Sequence, residues 1–64
     1  MNLQNTFLDI KIFFNPQAII CDTKNKEICR EAKLFFNIPI VKDKNNFERL
    51  LIIENERLRC LFAL

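Results

Sequence analysis

Apolar and polar positions change rhythm several times along this chain, and each change marks an element. Ala18-Ile19-Ile20-Cys21 is a short apolar run that stops at Asp22-Thr23, the pattern of a strand buried on both faces that leaves its sheet at the carboxyl end. From Lys24 the period lengthens: Ile28, Ala32, Phe35 and Phe36 fall at i, i+4, i+7 and i+8, one stripe of a helix, with Lys26, Arg30 and Lys33 off it. Pro39 pushes Ile38 out of helical geometry, and Ile40-Val41 resume β-branched chemistry. Together these segments predict a β-α-β unit with parallel strands over about residues 16–41.

The flanks are read against that centre. Leu3, Phe7, Ile10 and Phe14 sit at helical spacing, whereas Leu8, Ile10, Ile12 and Phe14 alternate as in a strand. The helical period is preferred, over about Leu3 to Phe13, because such a helix covers one face of the sheet. Lys42-Asp43-Lys44-Asn45-Asn46 is a loop by composition. Phe47 to Ile53 ends in what reads as a third strand. Glu54 to Phe62, with acids in its first turn, reads as a short helix.

Composition changes this picture in one respect. The chain has 64 residues, half of them hydrophobic, with seven Phe. A single domain of that size buries only about 60% of the surface its unfolded chain exposes. Parallel strands need cover on both faces, and few helices are on offer. The expectation is one reduced, open α/β domain over residues 1–64, with flanking helices, whose core is completed by partners. The absence of Gly beside many Asn, Ile, Lys and Phe suggests an AT-rich coding sequence, as in reduced bacterial or organellar genomes.

Charge and candidate chemistry narrow the function classes. Ten Lys and Arg against eight acids give a net charge of +2. No apolar run approaches the roughly 20 residues of a membrane span, and the first residues lack the basic start of a secretory signal or the Arg-rich character of a mitochondrial leader. Cys21, Cys29 and Cys60 have no C-x-x-C spacing and there is no His, so neither a metal site nor a cofactor is expected, and the thiols read as buried in a reducing compartment. Without His or a Gly-rich phosphate loop, the usual nucleophile arrangements are missing, and no small-molecule substrate is expected. Asp22 stands where many α/β enzymes place a catalytic carboxylate, but a loop-forming Asp is the commoner case. The chain is therefore expected not to be an enzyme.

The order Pro16, strand, Asp22, Lys24, a helix with Glu31-Ala32, then Ile38-Pro39 resembles small-subunit ribosomal protein S-two, the second protein of the small ribosomal subunit. Asp43-Lys44-Asn45 is similar to the family's Asp-Thr-Asn loop, and Arg57 to Phe62 would correspond to its following helix. The likeness covers about Ile12 to Asn45, leaving the family's amino-terminal half and coiled-coil arms unmatched. It implies a non-enzymatic structural constituent of the small ribosomal subunit acting in translation, bound to rRNA and neighbouring ribosomal proteins, with no membrane partner. The location it implies is a mitochondrial ribosome, with another organellar or a bacterial cytoplasmic ribosome as the alternative. Two parallel strands joined by a helix end on the same side, so Lys24, Lys26, Arg30, Lys42 and Lys44 are expected on one RNA-binding edge. The alternative reading is a fragment of a receiver-like or nucleotide-binding α/β regulatory or enzyme subunit.

Overall fold

The computed structural model describes residues 3–64, and all of their side chains except those of Cys60 and Leu61. Two helices and a four-stranded mixed sheet follow one another as α1 (Leu3–Phe13), β1 (Ala18–Asp22), α2 (Lys26–Phe36), β2 (Ile40–Lys42), β3 (Arg49–Glu54) and β4 (Arg57–Ala63). The sheet order is β2-β1-β3-β4. β1 pairs with β2 in parallel, with Cys21 opposite Lys42, and antiparallel with β3, with Asp22 opposite Arg49. The class is α/β.

Both helices serve one face of the sheet. Phe7 and Ile10 of α1, and Cys29 and Ala32 of α2, close over Ile19 and Cys21 of β1 and over Leu50 and Ile52 of β3. These strand residues are register partners, Ile19 with Ile52 and Cys21 with Leu50, so two inward-facing pairs span β1 and β3. Phe7 ties the helices together, its ring centroid 5.5 Å from that of Phe35 and 5.4 Å from that of Phe36. In α1 the helical period prevails over the alternating one: Phe7 and Ile10 are buried, while Leu8, Ile12 and Phe13 are exposed.

The opposite face has no helix on it. There Ile20 lies beside Val41 and Leu51, and Ile53 opposite Leu58. Leu51 is buried, Ile20 and Ile53 are half-buried, and Val41 and Leu58 are exposed. The expectation of a first strand buried on both faces is thereby corrected. In β1, Ile19 and Cys21 are sealed, but Ala18 and Ile20 are only partly covered, because both helices pack on the same side.

A chain without glycine bends its backbone mostly through asparagine, the non-glycine residue most tolerant of positive φ. Asn25 caps the start of α2, its side chain accepting the Glu27 N–H at 3.0 Å, and Asn37 ends the helix at φ 52°. Asn55 and Glu56 have φ of 51° and 62° and form the two-residue connection between β3 and β4, with Glu54 paired to Arg57. Positive φ at both central residues is the signature of a type I′ hairpin.

That turn corrects the reading of the tail. Arg57 to Phe62 is strand, not helix: once Asn55-Glu56 reverses the chain, β4 runs back along β3 with a register shift between Ile52 and Ile53. Acids that looked like a helical first turn are the corner of a hairpin. The part of the family resemblance that placed a helix over Arg57 to Phe62 falls with it.

Candidate nucleic-acid interface

The carboxyl ends of β1 and β2 meet the start of α2 at one edge, and that edge is built around a buried carboxylate. Asp22, the last residue of β1, has no solvent exposure. Its Oδ1 accepts the Asn46 N–H at 2.6 Å, and its Oδ2 accepts the Phe47 N–H at 3.1 Å and the Arg49 Nε–H at 3.2 Å. Buried charge is tolerated when it is paired and hydrogen-bonded, and this one is both. The described side-chain contacts of Asp22 fasten the loop of residues 43–48, and Arg49 at the start of β3, to the end of β1. This is the loop-forming role rather than a free acid or base.

A second carboxylate fastens the same loop from the other direction. Glu48, held at φ 53°, accepts the Thr23 hydroxyl proton and the Lys24 N–H, the latter at 3.1 Å. These two donors favour the ionised form and hold the Glu48 carboxyl below its usual value of 4.5. Thr23 Oγ1 also accepts the Asn25 N–H at 3.1 Å, so the turn into α2 is set by the same group. Asp43 closes the loop on itself, accepting the Lys44 N–H at 2.8 Å and an Asn45 side-chain proton at 2.9 Å.

Two adjoining hollows open above this framework. One, of about 290 Å³, is lined by Thr23, Lys24, Lys26, Cys29, Lys42, Asp43, Lys44 and Asn46. The other, of about 300 Å³, is lined by Lys26, Cys29, Arg30, Lys33, Ile40 and Lys42. Lys26, Cys29 and Lys42 belong to both walls. The five residues expected on one edge, Lys24, Lys26, Arg30, Lys42 and Lys44, are all here. They are brought together because β1 and β2 finish on the same side and α2 starts there.

Lys33 completes the set and was missing from the expected site. It stands seven residues after Lys26 and three after Arg30, a spacing that already placed it on the same helix face. Arg30 is partly engaged, its guanidinium 3.2 Å from the exposed Glu27 carboxylate, a weak i,i+3 pair. Six of the chain's ten cationic residues line these two hollows, against one of its eight acids, Asp43. Glu27 and Glu48 lie at the same edge, one against Arg30 and the other against the Lys24 backbone, so the cations gather there without being isolated from acids.

Among the described residues no group of three His, Cys, Asp or Glu is placed to hold a metal ion, and no helix is long and apolar enough to cross a membrane. Comparison with family models, with curated proteins and with solved structures found no match for the chain.

Proposed function

We propose that this chain is a non-enzymatic RNA-binding constituent of a ribonucleoprotein, holding RNA phosphates along the edge formed by Lys24, Lys26, Arg30, Lys42 and Lys44, with Lys33 added. The observation that carries the reading is the convergence of cations: six from a turn, a helix and a strand end meet where a sheet edge and a helix start come together. Lysines so arranged act as point charges for a phosphate backbone and position a protein without reading bases. Asp22, the one residue in a place suited to catalysis, has its oxygens occupied by Asn46, Phe47 and Arg49, which supports a non-catalytic role.

The assembly implied by the resemblance is the small ribosomal subunit, with β1, α2 and β2 serving as the family's β-α-β unit and rRNA and neighbouring ribosomal proteins as partners. A mitochondrial ribosome is the location that goes with this reading. The sheet face of Ile20, Val41, Ile53 and Leu58, on which no helix packs, supports a protein neighbour that completes the core. That face supports equally a second reading, in which the chain is one part of a larger α/β regulatory or enzyme subunit.

Sedimentation separates the two. A tagged chain expressed at native level travels with the small subunit on sucrose gradients under the first reading and is released as salt is raised. Recovery in a smaller complex free of RNA, unchanged by nuclease treatment, would favour the second.

A further inference from the structure

Cys21 lies near the end of β1 and Cys29 in the first turns of α2, and their sulfurs are 2.7 Å apart, less than one ångström beyond the length of a disulfide bond. Both thiols are free. They are not equivalent. Cys21 is wholly sealed behind the helix, whereas Cys29, though largely buried, forms part of the wall of both basic hollows. A reagent entering from solvent therefore meets Cys29 first.

We propose that Cys21 and Cys29 form an oxidisable thiol pair that closes to an intramolecular disulfide, with a small disulfide such as glutathione disulfide as the oxidant. In the first step the Cys29 thiolate attacks one sulfur of the reagent. The reagent's S–S bond breaks, a mixed disulfide forms at Cys29, and the departing glutathione takes up a proton. In the second step the Cys21 sulfur attacks the Cys29 sulfur and displaces the second glutathione, which takes up the proton that Cys21 releases. Two electrons and two protons pass from the cysteine pair to the reagent, and two glutathione thiols leave.

Two consequences follow from the position of the pair. Burial, with Cys29 beside it, pushes the Cys21 thiol up to about 12, so Cys21 is not the sulfur that attacks the reagent first. The closed ring spans Asp22 to Ile28, the segment that carries Lys24 and Lys26. Oxidation thus ties down the turn that carries two of the six basic residues of the edge, by the loop-closure effect of any cross-link. The inference rests on the sulfur geometry alone and stands whether or not the edge binds RNA.

The test uses the full chain with Cys60→Ser, so that only this pair remains. The protein is equilibrated with reduced and oxidised glutathione at a series of ratios, in buffer and in concentrated urea, then trapped by alkylation and weighed. Closure is read as the loss of two hydrogens and as one peptide joining Cys21 to Cys29. In urea the same spacing closes only by chance encounter, so the effective concentration of the pair is expected to be at least about tenfold higher in buffer. An effective concentration in buffer equal to or below that in urea would overturn the proposal.

Discussion

Arg49 donates from Nε to Oδ2 of Asp22 at 3.2 Å, and the two residues are also register partners across the β1–β3 ladder. The carboxylate is fully buried while the Arg49 side chain keeps 27% of its exposure, so the carboxylate depends on the pairing more than the guanidinium does. Asp22→Ala removes the acceptor of two backbone N–H groups as well as the partner of Arg49. It is expected to cost about 3 kcal/mol or more, a large part of the stability of so small a domain. Arg49→Lys, which keeps a charge nearby, is expected to cost about 1 kcal/mol or less. Urea midpoints of the two variants provide the check, and equal losses would contradict the clamp.

Glu48 gives the same loop a pH dependence of definite sign. Its carboxyl is held low first by the Thr23 hydroxyl and then by the Lys24 N–H. A group whose value is depressed in the folded state contributes stability above its unfolded value, and that contribution disappears as the pH falls through the folded one. The thermal midpoint should therefore drop on acidification below about pH 4.5, the ordinary Glu value. Glu48→Gln should show a smaller acid drop than the parent chain. Superimposable acid limbs would remove Glu48 from the account.

The β3–β4 corner predicts a stabilising change. Glu56 has a φ of 62° with no compensating side-chain hydrogen bond described, and its N–H reaches Gln17 Oε1 at 3.4 Å. Glycine adopts that conformation without the Cβ penalty and keeps the N–H. Glu56→Gly is expected to stabilise the chain by about 1 kcal/mol and raise its melting temperature by several degrees. A lower melting temperature would mean that the turn is not type I′.

Much of the fold was legible because its signals were local and periodic. Ala32 with the partly buried Ile28, Phe35 and Phe36 marked most of the inner stripe of α2, though not its buried Cys29, and Leu3, Phe7 and Ile10 marked that of α1, down to the bounds Leu3–Phe13. The hairpin was not legible because its usual marker is glycine. Asn55-Glu56 takes the conformation of Asn-Gly without the second residue that announces it, and Glu56 then reads as helical. One-sided cover of β1 was hidden too, since Ala18-Ile19-Ile20-Cys21 is apolar on both faces and only the position of α1 decides which face is sealed.

The edge was legible through topology. Lys24, Lys26, Lys42 and Lys44 are far apart in sequence, yet two parallel strands joined by a helix must end together, and Cys21 does stand opposite Lys42. A loop-forming Asp22 was already the commoner reading of the sequence, but its partners and the part played by Glu48 were not legible. Asp22 and Glu48 hold the loop through backbone N–H groups of Asn46, Phe47 and Lys24, and such partners have no signature in residue type.

The salt dependence of RNA binding tests the central claim most directly. Each phosphate neutralised adds about 0.7 to 0.9 to the slope of log affinity against log salt, depending on whether the RNA is single- or double-stranded. The chain with Lys24, Lys26, Lys42 and Lys44 all changed to Gln should bind small-subunit RNA with a slope smaller by about 3 than the parent. Lys11, Arg57 and Arg59 lie outside the two hollows, and changing those three to Gln should leave the slope nearly as it was. Equal slopes for the parent and the four-lysine variant, or an equal loss from the outlying three, would contradict the account.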